Sequence, residues 1–242
     1  IGIQETKVQD SEFPMAEINA LGYEAEIFGQ KGHYGVAVLY KGLKLLSVKK
    51  GLEEDSADTQ KRFIQLDFES HSGHCFSIIN CYFPQGENRS HEIKFPYKQK
   101  FFERLNSYLK SVITPGKILF LMGDMNVSPE DIDIGIGEDN RKRWLAAGKC
   151  SFLPEERQWY KEMLESGLFD TYRKIYPDSA DKFSWFDYRS KGFDSDPKRG
   201  LRIDHILATE AISEKIKDAG IDYGIRAMEK PSDHTCIWTD VE

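Results

Sequence analysis

The chain has 242 residues, 40% of them hydrophobic and 30% charged, with four Trp, eleven Tyr and fifteen Phe, enough apolar surface to offset chain ordering and to exclude a disordered protein. No run approaches the roughly 18 apolar residues of a membrane span, and the opening IGIQETK lacks the basic-then-apolar pattern of an export signal, so a cytoplasmic protein without a membrane partner is expected. The net charge of −7 weighs mildly against a polyanionic partner, although the field of local basic loops, not the total, governs such binding.

In chain order, short and often β-branched apolar runs predict strands at IGI (1–3), GVAVLY (35–40), RFIQLDF (62–68), CFSIINCYF (75–83) and KILFLMGD (117–124), and later at FSWFDY (183–188), RIDHILA (202–208) and HTCIWTDV (234–241). Helical spacing predicts helices over 12–21, 95–112, 155–166 and 210–219, with Gly22, Gly167 and Gly220 standing where C-cap glycines would. Strands alternate with helices, yet adjacent strand pairs crowd between residues 23 and 82. The expectation is an α/β (α+β) fold of two packed mixed sheets with helices outside, in a single domain over 1–242. The irregular stretches 126–141 and 188–201 are too long for plain connectors and are expected to be functional. Cys75, Cys81, Cys150 and Cys236 show no CxxC spacing and read as reduced core thiols.

Candidate chemistry gathers at strand ends. GDMN (123–126) follows a continuous apolar strand, so Asp124 and Asn126, two positions apart, point to the same side of an extended chain. An ordinary turn with Ser128 capping a helix from Pro129 would explain the same residues. QETK (4–7) offers Glu5 as a ligand for a hard cation, where an exposed surface Glu is the plain alternative. In RIDHI, alternation puts Arg202, Asp204 and Ile206 on one face, and Asp204 could simply pair with Arg202. In PSDHT, Asp233 and His234 precede the last strand, with an Asx-turn and a solvated imidazole as the bland reading. Together, four strand-end carboxylate sites and one His suit metal-assisted phosphoryl hydrolysis. An Asp bonded to that His would fix its tautomer and raise its pKa, and Asp204 is the expected partner of His234.

The segments IGIQETK, GQKGHYGVAVL, NCYFPQGENR, LMGDMNVSPEDIDIG, NRKRWLAAGKCSFLPEER, DKFSWFDYRSKGFD, RGLRIDHILA and IRAMEKPSDH closely resemble the exonuclease III / AP endonuclease family of the endonuclease/exonuclease/phosphatase superfamily, from the first residue almost to the last. The resemblance implies a four-layer, DNase I-like sandwich and Mg²⁺-dependent hydrolysis of DNA, with Mn²⁺ as a substitute. It further implies incision 5′ to abasic sites, 3′-to-5′ exonuclease action on duplex DNA and removal of 3′ blocking groups; a monomer is expected, because nothing in the sequence suggests an obligate interface. It makes Glu5 a metal ligand, Tyr82 a contact to the scissile phosphate, Asp124 the group that activates water and Asn126 the one that orients it. Asp204 then supports the catalytic His234, and Asp124, Asn126 and Asp233 join Glu5 around the metal.

The FSWFDYRSKGF loop carries Phe183, Trp185 and Phe186 into Arg189 and Lys191. Such rings are more often core than platform, but apolar wedges beside basic residues can also hold an extruded nucleotide. The resemblance makes Trp185 part of the abasic-site pocket. Expected phosphate contacts are Lys31, Arg62, Gln85, Arg89, Arg141, Lys142, Arg189 and Lys191, with Arg143 adjacent, against the commoner reading of a solvated charged face. Family members normally begin with one further strand and helix, about 30 residues on ordinary element lengths, whose strand ends in a metal-site asparagine. Its absence here would leave an inner sheet edge exposed and predicts poor stability and weak activity. A phosphomonoesterase or phospholipase of the same superfamily is the main rival, and a non-catalytic DNA-binding module the third.

Overall fold

The computed structural model describes residues 1–52 and 59–242. Strand β1 (Gly2–Gln4) leads through a 3-10 turn to helix α1 (Met15–Ala20), and β2 (Glu24–Phe28), β3 (Val36–Tyr40), β4 (Lys44–Lys50), β5 (Phe63–Glu69) and β6 (Cys75–Tyr82) follow. Helix α2 (Lys94–Val112) then crosses over, which lets β7 (Leu119–Asp124) lie parallel to β6 as a parallel pair requires. The remaining elements are α3 (Glu138–Ala146), α4 (Pro154–Leu164), β8 (Leu168–Asp170), α5 (Thr171–Ile175), β9 (Asp204–Thr209), β10 (Ile216–Asp222), α6 (Tyr223–Arg226) and β11 (Cys236–Val241).

Six strands form a mixed sheet in the order β4-β5-β6-β7-β9-β8; a second layer consists of an antiparallel three-stranded sheet, β1-β3-β2, and the β10-β11 pair. Val36, Val38 and Tyr40 of β3 pack against Ile64, Leu66 and Phe68 of β5 between the layers. On the far face of the large sheet, Ile79, Cys81, Leu119, Leu121 and Leu207 meet Phe102, Leu105 and Leu109 of α2 and Tyr160 and Met163 of α4. Ile18 of α1 covers Ile27, Ala37 and Leu39 on the outside of the small sheet. The result is the expected four layers, and β3, covered on both sides, is buried at every residue.

Several expectations from the sequence are corrected. FSWFDY is no strand; Trp185 makes only isolated bridges, to Leu201 and to His234, while Phe183 and Phe186 turn into the core. Residues 210–219 are a 3-10 turn, Glu210–Lys215, running into β10, because Ile212 and Ile216 pack on Ala208 and β10 pairs along β11. Gly220 is therefore no helix cap: it lies in β10, where a Cβ would sit 2.5 Å from the Trp238 ring. Helix 12–21 starts only at Met15, after the 3-10 turn Asp10–Glu12. All four cysteines are free, but only Cys81 and Cys150 are core thiols; Cys75 and Cys236, each opening a strand, are exposed. Among the described residues no helix is long and apolar enough to cross a membrane.

Candidate active site

Strand β7 ends on Asp124 beside the end of β6, and glycine is required just before it. Gly123 has φ +140°, and a Cβ there would lie 1.9 Å from the Cys81 carbonyl oxygen of the neighbouring strand. The turn that follows is an Asx-turn: the Asn126 backbone N–H donates to Asp124 Oδ1 at 2.9 Å, with Asn126 at φ +53°. Its side chain then does more than a turn needs. Asn126 Nδ2 donates to Asp124 Oδ2 and to the Phe83 carbonyl, both at 3.0 Å, so one residue clamps both oxygens of a buried carboxylate. Ser128 caps no helix; it is buried and donates to the Arg202 carbonyl at 3.2 Å.

Antiparallel pairing sets Asp204, the first residue of β9, opposite Asp124. His234 comes from the loop before β11, and its Nδ1 donates to Asp204 Oδ2 at 2.9 Å and Oδ1 at 3.0 Å. The other ring nitrogen, Nε2, lies 3.9 Å from Asp124 Oδ2. Asp204 thus faces His234 and not Arg202, and the imidazole is not the solvated one of the bland reading. Burial pushes Asp124 up, His234 pulls it down and Asp204 pushes it up again, leaving it at about 7. Burial disfavours the His234 imidazolium, but Asp204 and Asp124 outweigh it and raise the ring to about 10. Near neutral pH the site therefore holds an imidazolium beside a carboxylate poised to take a proton.

At the rim, the Tyr82 hydroxyl donates to Glu5 Oε1 at 2.5 Å, and Lys7 Nζ lies 2.6 Å from Glu5 Oε2. Burial, reinforced by the Glu5 bond and the Asp124 charge, drives the Tyr82 phenol well up, so it stays a neutral donor. Glu5 is raised by burial, but its bonds to Lys7 and Tyr82 win and hold it below the usual carboxylate range. Trp185 Nε1 donates to Asp233 Oδ2 at 3.0 Å, which ties the aromatic loop to the Asp233–His234 pair.

The expected DNA contacts are divided by the structure. Lys31, Gln85, Arg189 and Lys191 are exposed. Arg62 is only 6% exposed; it donates to the Tyr82 carbonyl at 3.0 Å and lies over the rings of Tyr34 and Tyr82. Arg89 is engaged with Glu155, Arg141 with Asp131 and Glu138, and Lys142 with Glu138, while Arg143 donates to Asn140. Such exposed pairs are worth little and can exchange for a phosphate.

Asp124, Asp204 and His234 offer ligand atoms within 4.8 Å of one another, yet Nδ1 of the ring is taken by Asp204 and a protonated imidazole does not ligate. Of the expected metal ligands Glu5, Asp124, Asn126 and Asp233, hydrogen bonds join Asp124 to Asn126, while Glu5 is bonded to Tyr82 and Lys7 and Asp233 to Trp185; oxygen donors of this kind are what Mg²⁺ or Mn²⁺ prefers. Asp124, destabilised as an anion by burial and by Asp204, is the member a cation would relieve.

Sequence reasoning missed a supporting pair. Lys98 and Glu156 are both fully buried and 2.5 Å apart; Lys98 Nζ also donates to the carbonyls of Asn126 at 2.9 Å and Gln85 at 3.3 Å. The signal was present in α2, where Lys98 shares the apolar stripe of Phe101, Phe102 and Leu105 at helical spacing.

Residues 1–234 match the description Endonuclease/Exonuclease/phosphatase family. The chain is 54% identical over 240 residues to exodeoxyribonuclease III of Haemophilus influenzae, covering 99% of this chain and 88% of that protein. Among solved structures, a 3′ phosphatase from Neisseria bound to a product DNA hairpin superposes with a TM-score of 0.88 at 32% identity, covering 100% of this chain and 88% of that one. An AP endonuclease from Archaeoglobus fulgidus gives 0.88 at 34% identity with the same coverage. With the strand-end carboxylates, the His234–Asp204 pair and the four layers in place, these matches establish that the chain belongs to the endonuclease/exonuclease/phosphatase family.

Proposed function

We propose that the chain is a Mg²⁺-dependent DNA-repair phosphodiesterase that cuts duplex DNA 5′ to abasic sites and trims or unblocks 3′ ends. The observation that carries the reading is the buried set in which His234 is held by Asp204 while its free nitrogen faces Asp124 at 3.9 Å. The names of the relatives, an exodeoxyribonuclease III and an AP endonuclease, support the substrate class. Residues 1–242 act as one catalytic unit, a cytoplasmic monomer in this reading.

Asp124, near 7, takes the proton of the attacking water, and Asn126 fixes the carboxylate that does so. The His234 imidazolium donates from Nε2 to a phosphate oxygen as negative charge builds, with Asp204 holding the ring in register. Tyr82 donates its hydroxyl to the same phosphate once it releases Glu5. Glu5, Asp124, Asn126 and Asp233 would hold the cation, Mn²⁺ serving in place of Mg²⁺; when bound it supplies Lewis-acid neutralisation of phosphate oxygens. Trp185 closes the pocket for the abasic sugar, and Lys31, Gln85, Arg89, Arg141, Lys142, Arg189 and Lys191 offer phosphate contacts along the duplex, with Arg62 acting from beneath through Tyr82.

The test is an end-labelled duplex with one abasic analogue, incubated with Mg²⁺ and with EDTA. Incision 5′ to the analogue in Mg²⁺ alone is expected. Release of phosphate from 3′-phosphorylated ends without any incision would instead favour a phosphomonoesterase, and binding without metal-dependent chemistry a non-catalytic module.

A further inference from the structure

The loop that leaves β7 presents three consecutive carbonyls, and each is taken by a side chain from a different element. Lys98 Nζ of α2 donates to the Asn126 carbonyl at 2.9 Å, His205 Nε2 of β9 to that of Val127 at 2.8 Å and Arg157 Nε of α4 to that of Ser128 at 3.2 Å. A carboxylate stands behind every one of these donors: Glu156 at 2.5 Å from Lys98, Asp170 at 3.4 Å from His205 Nδ1 and Asp131 at 2.8 Å from Arg157.

Lys98 does one thing more. Its ammonium also donates to the Gln85 carbonyl at 3.3 Å, so a single group ties the loop after β6 to the loop after β7. The Asn126 amide is strung between the same two loops, with Nδ2 donating to the Phe83 carbonyl and to Asp124 Oδ2, both at 3.0 Å. The Asn126 backbone, at φ +53°, occupies a sparsely populated left-handed conformation, which persists where its surroundings impose it.

The surroundings are built around the lysine. Lys98 and Glu156 are both 0% exposed. Gly86, at φ +87°, lies against the lysine stem, where a Cβ would come 2.9 Å from Lys98 Cδ. The backbone N–H groups of Ser151 and Leu153 each donate to Glu156 Oε2 at 2.8 Å, which leaves Oε1 for the ammonium. Apolar residues of equal volume often stabilise such a space as well as a buried ion pair does, so fold stability alone does not account for this one. Burial also keeps Lys98 from touching DNA.

We propose that Lys98 is a positioning residue for the cleavage reaction: its ammonium fixes the exits of β6 and β7 relative to each other, and so holds the Asn126 amide and the Asp124 carboxylate in register. The role rests on the reading of Asp124 and Asn126 as the groups that activate and orient water.

The test compares the full chain with Glu156→Gln, with Lys98→Met and with both together. Cleavage of the abasic duplex in saturating Mg²⁺ is measured per folded molecule, and hydrogen exchange of the Asn126 side-chain amide is followed by NMR in EDTA. Lys98→Met should lose roughly 10–100-fold in kcat at close to the parental KM, the scale of a small misplacement of reacting groups. Glu156→Gln breaks the ion pair but keeps the donor, so it should lose far less although its melting point falls. The double variant removes the stranded carboxylate and should recover stability while keeping the low kcat; it replaces Lys98→Met if that variant fails to fold. Its Asn126 amide should exchange at least about tenfold faster than in the parent. Equal kcat losses in Glu156→Gln and Lys98→Met overturn the proposal, as does a kcat that returns with stability in the double variant or an Asn126 amide still protected there. A parent that cleaves no duplex, with amide protection lost in the double variant, would instead sink the nuclease reading and leave the positioning role standing.

Discussion

One short stretch, residues 202–205, supplies two polar clusters with opposite electrostatics. Asp204 belongs to the proposed catalytic set, where two buried carboxylates share one imidazole and Asp124 is pushed up to about 7. Arg202 and His205 belong to a buried network in which Asp133 and Asp170 meet Arg202 and Arg173. There the order of effects reverses: burial again raises Asp170, but the Arg202 charge and the His205 bond overcome it and hold the carboxyl far below the usual range. The difference is the count of matched charges, not the depth of burial. The under-neutralised cluster is poised for chemistry and the matched one for stability.

The largest effect that could break this contrast is on rate. Asp124→Asn keeps the shape and one of the two bonds from Asn126, since an amide has a single acceptor oxygen, while removing the proton acceptor, so cleavage of the abasic duplex should fall by at least about 10²–10⁴-fold, the usual worth of a general base. DNA affinity, read by a binding titration in EDTA, should change little. An unchanged rate would end Asp124's assignment as the base.

Asp170→Asn probes the other side. Its Oδ1 caps α5 by accepting from Tyr172 and Arg173 N–H, which Asn can still do, whereas Arg202 loses the charge opposite Nη1. Removing one partner of a buried pair costs about 3–5 kcal/mol, to be read as a drop in denaturation midpoint, with nuclease rate per folded molecule preserved. The wild-type network also fixes the acid limb. Asp133 and Asp170 are both depressed below the ordinary 3.8, so their contribution is complete above that value and lost as pH falls through the folded values. Stability should decline steeply below about pH 4 in the parent and more gently in Asp170→Asn.

A titration sharpens the comparison without metal or substrate. Followed by NMR, the His234 imidazole should stay protonated to about pH 10. Because that value is raised from 6.5, the charge contributes stability fully below 6.5 and loses it as pH rises through 10. His234 titrating near 6.5 would mean that Asp204 and Asp124 do not act on it as their distances require.

Legibility in the sequence followed sequence distance. Asp124, Asn126 and Asp204 stand at the ends of long apolar runs, and the pairing of Asp204 with His234 was expected from what an imidazole needs. The apolar stripe of α2 could have shown that Lys98 is buried, but not its partner, because the partners are 58 residues apart for Lys98–Glu156 and 69 for Arg202–Asp133, and no local pattern encodes such a meeting. Residues 210–219 misled for a different reason. Ile212, Ile216 and Ala219 are all buried at the four-and-three spacing of a helix, but the segment follows the edge of β11 and its backbone bonds go there. FSWFDY misled likewise: Phe183 and Phe186 are buried by a loop pinned at Trp185, without a ladder.

That pin gives the smallest effect. Trp185→Phe retains an aromatic surface for the pocket and removes only the Nε1 bond to Asp233 at 3.0 Å. A hydrogen bond to a charged group is worth about 1.5–3 kcal/mol at most, and less at a partly exposed site, so a loss of about tenfold in cleavage is expected. If the bond acts by positioning Asp233 at the metal, raising the Mg²⁺ concentration should restore most of the rate. If Trp185 acts only by touching the extruded sugar, the retained ring leaves the rate near that of the parent at every Mg²⁺ concentration, and Trp185→Ala alone weakens abasic DNA binding. The two outcomes separate a residue that shapes the under-neutralised cluster from one that merely lies beside it.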